Sequence, residues 1–192
     1  MMRRATFVLA LALVTPTMLT GCMPKMTMEE MKSMMPQRPA ELDRLNAFAG
    51  KWEFEGKADM ACLEGDEEVA VSGSGESKWD ASGWFLVGRS TFKMADFDEM
   101  VGVETWTYDA KSKKYRSTWT DSMGAIGIGE SKYHAETDSW TMKATSHGPM
   151  GKTKMKGCLK IVDDDTMEWC MAEYAMGGLM KTMEMCGTSH RK

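Results

Sequence analysis

The chain has 192 residues, which is enough for one domain with a sizeable hydrophobic core. Its 24 Lys and Arg residues face 28 Asp and Glu residues, so the protein lacks the basic excess that holds nucleic acid or an anionic membrane surface. The 22 Met residues far exceed ordinary usage, whereas 5 Pro and 18 Gly residues are not the composition of a disordered chain.

The first 22 residues have the features of a lipoprotein signal peptide. Arg3 and Arg4 precede an apolar run from Phe7 to Val14 that is too short to span a bilayer. The segment Leu19-Thr-Gly-Cys22 resembles the bacterial lipobox. The resemblance implies that the Cys22 thiol is diacylated, that the signal is cut before Cys22 and that the new amino terminus is acylated. We therefore expect cleavage to remove residues 1–21 and leave the protein anchored through lipid on Cys22 to a membrane of the bacterial cell envelope.

A tether and a short helix are predicted next. Residues 23–38 contain two prolines and six methionines, at positions 23, 26, 28, 31, 34 and 35, and we interpret them as a spacer. Pro39 suits a first helical turn, and Leu42, Leu45 and Phe48 follow at helical spacing before Gly50. The pattern predicts one short helix at the start of a domain that covers residues 39–192.

Beyond Gly50 the hydrophobic period changes to two, which is typical of an all-β protein. Ten strands are predicted, over residues 51–61, 67–79, 84–94, 100–109, 114–122, 126–134, 138–147, 152–162, 166–174 and 179–189. The connections are short and rich in turn residues, so consecutive strands should pair antiparallel in an up-and-down meander. A sandwich and a closed barrel both satisfy this pattern. We favour the barrel, because closure removes exposed strand edges.

Several motifs resemble a known family. Gly50-Lys-Trp52 is similar to the opening of lipocalin-like (calycin) barrels. The stretches from Trp84 to Arg89, from Lys114 to Met123 and from Lys160 to Asp165 are similar to the bacterial DUF1579 family. The resemblance covers about residues 39–192 and implies a lipocalin-like barrel without an established activity. It also implies a closure contact between Trp52 on the first strand and Arg191 after the last strand.

No constellation of residues predicts an enzyme. His134, His147 and His190 lie near the ends of separate strands, without the spacing of a metal site. The chain has no G-x-S-x-G nucleophile motif, and Asp163-Asp-Asp165 lacks the ligand pattern of a calcium loop. We therefore predict no catalytic residues, no cofactor and no metal ligands among these groups.

Tryptophan provides the best indication of a binding site. Trp84, Trp106, Trp119, Trp140 and Trp169 lie in five different predicted strands, and several of these side chains should point into the barrel. An aromatic cavity for a small hydrophobic ligand is predicted, formed by Trp84, Arg89, Trp106, Trp119, Asp121, Trp140 and Trp169. The alternative is that the Trp side chains fill the barrel. The charged residues, which include Glu104 and Glu130, could face outward instead, because a one-residue shift in register exchanges the two faces.

Methionine supports a second hypothesis. Most Met residues of the domain alternate with other apolar residues and are interpreted as core. Met26, Met28, Met31, Met34 and Met35 are clustered in the tether, and thioether sulfur is a preferred ligand of Cu(I). The overall prediction is thus a non-enzymatic binder of a small hydrophobic ligand. A copper-binding or copper-buffering protein and a ligand-free envelope scaffold are the alternatives.

Four cysteines remain after Cys22, and an even number in an exported domain predicts two disulfides. A three-residue turn at Asp163–Asp165 would place Cys158 opposite Cys170 on the outer face. The predicted bonds are therefore Cys158–Cys170 and Cys62–Cys186.

Overall fold

The structure is a computed structural model that describes residues 25–61, 68–94 and 97–192. The chain divides into two compact units, Met1–Gln37 and Arg38–Lys192. In the first unit, helix α1 spans Met28–Ser33 and begins with a capping box, in which the Thr27 hydroxyl accepts from the Glu30 backbone N–H and the Glu30 carboxylate accepts from the Thr27 N–H. Cys22 lies outside the described residues. Within those residues, no helical segment is long and apolar enough to cross a bilayer.

The second unit is all antiparallel β, as predicted. Its ten strands are β1 (Gly50–Met60), β2 (Val69–Trp79), β3 (Leu86–Met94), β4 (Met100–Asp109), β5 (Lys114–Asp121), β6 (Ile126–His134), β7 (Ser139–Gly148), β8 (Gly151–Asp163), β9 (Thr166–Ala175) and β10 (Met180–Arg191). Each strand pairs with its neighbours in sequence, and β1 pairs with β10. The prediction of a closed up-and-down barrel is confirmed.

A 3-10 helix from Ala40 to Phe48 precedes β1. Leu42, Leu45 and Phe48 are spaced by three residues, which places them on one face of a helix with three residues per turn. Leu42 and Leu45 are fully buried. The Tyr115 hydroxyl donates to the Glu41 carbonyl oxygen at 2.8 Å, which ties the helix to β5. The segment predicted as a short helix thus covers one end of the barrel.

Two hydrophobic clusters pack inside the barrel. The first joins the 3-10 helix to Leu86, Tyr115 and Trp140, and it fills the end that the helix covers. The second is centred on Ala58, Val71, Met94 and Met185. Most of the partly buried residues packed on the second cluster are Met or aromatic, so methionine occupies core positions as expected.

The turn between β2 and β3 is organised by one carboxylate. Asp80 accepts hydrogen bonds from the Ser82 hydroxyl and from the backbone N–H groups of Ser82, Trp84 and Phe85. These donors, the Ser82 hydroxyl foremost, lower the pKa of Asp80 to about 2. The ionised side chain therefore fixes the path of the chain into β3.

The disulfide pairing differs from the prediction. Cys158, Cys170 and Cys186 are consecutive cross-strand partners on β8, β9 and β10, and the bond joins Cys170 to Cys186. Their Cα atoms are 4.1 Å apart, which is the close spacing of a non-hydrogen-bonded pair. A residue that forms such a pair on one side forms a wider, hydrogen-bonded pair on the other, so Cys170 lies farther from Cys158. The predicted Cys158–Cys170 bond is therefore wrong, and Cys158 is a free, exposed thiol.

The predicted partner of Cys186 was also wrong, because Cys186 is bonded to Cys170. Cys62 lies outside the described residues.

Candidate functional site

The barrel encloses a cavity of about 430 Å³ between the two hydrophobic clusters. Its walls come from every strand and from Phe48 of the 3-10 helix. The lining is rich in aromatic and thioether side chains, namely Phe48, Trp52, Phe54, Phe92, Trp106, Trp119, Trp140, Trp169, Met142, Met155, Met167, Met171 and Met185. The interior is thus largely apolar and is not filled by its own side chains.

Glycine explains why so many large residues leave space between them. A Cβ atom on Gly127 would overlap the Trp119 indole, and one on Gly73 would overlap the Phe54 ring. A Cβ on Gly187 would lie 2.6 Å from Trp169. Each of these aromatic rings therefore lies against the barrel wall, over a glycine of a neighbouring strand. The centre of the barrel stays open as a result.

Four of the five predicted pocket tryptophans line this cavity: Trp106, Trp119, Trp140 and Trp169. Trp84 does not. It lies in the turn before β3, outside the strand predicted for it, and packs against the cluster under the 3-10 helix. The turn places this ring at the covered end of the barrel, so its prediction as a pocket residue is wrong.

Strand alternation places the charged residues predicted for the pocket on different faces of the barrel wall. Gly88 and Ser90 face inward on β3, so the exposed side chain of Arg89 between them lies on the outer face, and only its backbone borders the cavity. Asp121 faces inward at the end of β5, where its carboxylate accepts from the backbone N–H groups of Met123 and Ala125. The prediction that the Arg89 side chain faces the ligand is wrong, because that side chain lies on the outer face.

Glu104 is the charged residue that does face the cavity. It shares the inward positions of β4 with Trp106, and its register partners are Gly88 and Trp119. A Cβ on Gly88 would lie 2.9 Å from the Glu104 carboxylate, so this glycine makes room for the acid. Burial raises the pKa of Glu104, and hydrogen bonding from Trp106 offsets only part of the rise. The spacing of two from Trp106 was the available sequence signal for its orientation.

Glu130, the other mid-strand acid, is on the outer face of β6. Its carboxylate pairs with Lys114 at 2.6 Å and with Arg116 at 3.1 Å. These cations lower the pKa of Glu130, with Lys114 the main cause. It has no part in the cavity.

Trp52 and Arg191 meet where the barrel closes. They are register partners on β1 and β10, and the guanidinium carbon lies 4.4 Å from the centroid of the indole. Arg191 also donates to the carbonyl oxygens of Ala47, Ala49 and Asp164. One side chain thus joins the first strand, the last strand, the 3-10 helix and the β8–β9 turn.

The three histidines all occupy outward positions of their strands. His147 and His190 are exposed, and the His134 ring forms a hydrogen bond with the Thr141 hydroxyl at 3.0 Å. Across the described ranges, no cluster of three His, Cys, Asp or Glu side chains could hold a metal ion.

Comparison with known proteins supports the fold and gives a family. The model of a family described as "Protein of unknown function (DUF1579)" matches residues 37–188. The solved structure of Rv2717c from M. tuberculosis is similar, with a TM-score of 0.63 and 13% identity over 81% of this chain and 99% of that one. Among curated proteins, none matches the sequence significantly.

Two further barrels show weaker similarity. A fluorescence-activating β-barrel designed de novo gives a TM-score of 0.44 and 16% identity over 78% of this chain and 98% of its own. A protein of the DUF3598 family from Nostoc punctiforme gives 0.44 and 10% over 83% of this chain and 53% of its own.

Proposed function

We propose that this chain, which belongs to the DUF1579 family, is a non-enzymatic binder of a small hydrophobic ligand held inside its barrel. The observation that carries the proposal is the unfilled cavity of about 430 Å³. Ligand pockets of proteins are typically about 300–1,000 Å³, mostly apolar, with a few well-placed polar groups. An open interior forgoes packing energy, and a bound ligand recovers it.

The chemistry of the lining supports binding rather than catalysis. Glu104 and Asp121 are the acidic residues whose side chains face the cavity, and His134, His147 and His190 all face outward. Glu76 borders the cavity from an outward position of β2, and its carboxylate pairs with Lys78. Asp121 is already engaged by two backbone N–H groups of its turn. Acid–base catalysis usually needs a second titratable group within reach of the first, whereas the neighbours of Glu104 across the sheet are Gly88, Trp119 and the Ser77 hydroxyl.

We further propose that the protein acts at the bacterial envelope, anchored to a membrane through lipid on Cys22. The support is the lipobox-like segment Leu19-Thr-Gly-Cys22 after an apolar run of eight residues. Cys22→Ser should release the protein from the membrane fraction or leave it unprocessed. Retention at wild-type levels would contradict the anchor without affecting the proposed ligand site.

Two measurements test the ligand site directly. Native mass spectrometry of gently extracted full-length protein should detect one small molecule bound per chain. Titration with 1-naphthylmethanol, a neutral apolar probe, should quench Trp fluorescence with one-to-one stoichiometry. The quenching is expected because Trp106 and Trp119 line the cavity. Absence of both a bound molecule and probe uptake would contradict the proposal and favour a ligand-free scaffold.

Exposed thioethers in the first unit favour a second function, Cu(I) binding. Five Met side chains there are 47–68% exposed, which is unusual for this residue: Met26, Met28, Met31, Met34 and Met35. Replacing these five by Leu removes the sulfur and nearly preserves volume. Competition with a Cu(I) chelator should show loss of copper from this variant if the second function holds, with no effect on the naphthyl probe.

A further inference from the structure

Among the described residues, the charged side chains that face the cavity are acidic. Glu104 lies midway along β4, and Asp121 lies at the end of β5. Arg89, Lys143 and Lys156 border the cavity only through backbone, because all three occupy outward positions of their strands. The inward-facing cation among the described residues is Arg191, which lies against Trp52 and is held by three carbonyl oxygens. None of the cations in the described part of the chain is therefore placed to neutralise Glu104.

The side chains around Glu104 provide no opposite charge for its carboxylate. Gly88, Ser77 and Trp119 are its nearest inward neighbours on three strands, and none of them carries a charge. The described residues form no ion pair with this carboxylate. Burial disfavours its ionised form and raises its pKa. Such a group is retained at a cost to stability, which is typical of a binding residue.

Aromatic rings flank the same carboxylate. Trp119 is its direct register partner on β5, and Trp106 follows two residues later on the same face of β4. Indole rings attract cations through the negative potential of their faces. A carboxylate between two indoles is thus suited to an organic cation, because electrostatic attraction comes from all three groups.

From this juxtaposition we propose that the cavity is selective for a small organic amine, with its ammonium group on Glu104 and its apolar body among the Trp and Met side chains. The inference rests on the proposed ligand-binding function and adds the chemical class of the ligand. When an ammonium group enters, Glu104 can ionise beside it. The resulting ion pair offsets the free-energy cost of removing both charges from water. An anionic ligand would instead face a buried acid, and the residues that the structure describes offer it no cation inside the cavity.

Three probes that share one naphthalene ring test this selectivity at pH 7. They are 1-naphthylmethylamine, which is protonated at this pH, the neutral 1-naphthylmethanol, and anionic 1-naphthoate. Affinities are measured by quenching of Trp fluorescence with the full-length protein. We expect the amine to bind at least tenfold tighter than the alcohol, and the naphthoate to bind more weakly than the alcohol.

Variants assign the selectivity to one residue. In Glu104→Gln the amine and the alcohol should bind within about twofold of each other, while the alcohol retains its wild-type affinity and so reports an intact cavity. Asp121→Asn is the matched control, since it removes the other lining acid. It should keep the tenfold preference. Loss of the preference in Asp121→Asn but not in Glu104→Gln would overturn the assignment to Glu104.

The wild-type protein alone decides the main point. If the alcohol binds as tightly as the amine, or the naphthoate binds best, the inference is overturned while the proposed hydrophobic-ligand site stands. If none of the three probes binds, the inference is overturned, and the proposed function falls as well when native mass spectrometry also detects no bound molecule.

Discussion

The guanidinium of Arg191 lies over the indole of Trp52, 4.4 Å from the ring centroid, although the two residues belong to the last and first strands of the barrel. The same guanidinium donates to three carbonyl oxygens, two of them from the end of the 3-10 helix. The indole N–H of Trp52 in turn donates to the Phe48 carbonyl oxygen at 3.2 Å. This pair therefore fixes the helix on the end of the barrel as well as closing the sheet.

Arg191→Ala should destabilise the protein by about 2–4 kcal/mol. The substitution removes the cation–π contact and leaves carbonyl oxygens of Ala47 and Ala49 without their donor. Urea unfolding monitored by Trp fluorescence measures the effect. Arg116→Ala is the matched control, because this half-exposed arginine contacts only surface carboxylates and the Ser112 hydroxyl, and its loss should cost less than about 1 kcal/mol. Equal losses for the two variants would contradict the closing role of Arg191.

Gly127→Ala should shrink the cavity and destabilise the barrel by about 1–3 kcal/mol. A Cβ there overlaps Trp119, so the indole has to move off the wall. Binding of the naphthyl probes should weaken accordingly. Gly102→Ala is the control: this glycine also lines the cavity, but the nearest atom to its added Cβ is 3.5 Å away, an ordinary contact. Stability and probe affinity in Gly102→Ala should stay close to wild type.

Cys186→Ser should transfer the disulfide to Cys158 and Cys170. Cys158 is a free, exposed thiol that is already the cross-strand partner of Cys170. Hydrogen-bonded pairs have Cα separations of about 5.5 Å, within the range of disulfides. Peptide mapping under non-reducing conditions after air oxidation identifies the bond. In Cys158→Ser the original Cys170–Cys186 bond should persist. A Cys170 that stays reduced in Cys186→Ser would contradict the prediction.

Glu104→Gln should raise the melting temperature at pH 7 but not at pH 4. The pKa of Glu104 is raised in the folded state, so its neutral form is favoured by folding. That contribution is fully present below the unfolded pKa of about 4.3 and is lost as pH rises through the folded value. The amide stays neutral throughout, so we expect a gain of about 0.5–2 kcal/mol at pH 7. Thermal melts across this pH range test it, and an equal shift at both pH values would contradict it.

Asp80→Ala should lower the melting temperature at pH 7, with a difference that shrinks in acid. The pKa of Asp80 is lowered from 3.8 to about 2, so its stabilising contribution is present above pH 3.8 and is lost as pH falls towards 2. Wild type and variant should therefore converge between pH 4 and pH 2. A constant difference over this interval would show that the carboxylate charge is not what holds the turn.

The fold was accessible from sequence because two local signals agreed. Alternating apolar residues gave the strands, and short polar connections such as Asp163–Asp165 left antiparallel pairing as the only geometry. Arg89 shows the limit of this reasoning, because alternation assigns a face only when the register is known to the residue. The turn that Asp80 builds delays β3 until Leu86, and this removes Trp84 from the strand predicted for it.

The candidate site was accessible only in part, for reasons that concern neighbouring strands. Four Trp residues could be assigned to the interior from composition and period, but the open cavity depends on glycines such as Gly127 lying beneath them. Those pairings are set across the sheet and are not visible along the chain. The disulfide was missed for the same reason, since hydrogen-bonded and non-hydrogen-bonded pairs alternate across β9.

The up-and-down topology also has a consequence for folding kinetics. Nine of the ten strand pairings join consecutive strands and close short loops, whereas the β1–β10 pairing brings together Trp52 and Arg191, roughly 140 residues apart. Closing that loop costs about 2 kcal/mol more chain entropy than closing a ten-residue hairpin. The closing pair should therefore form last. Until then β1 and β10 are unpaired edges that a second copy of the chain can occupy, so domain swapping and aggregation compete with this step above all.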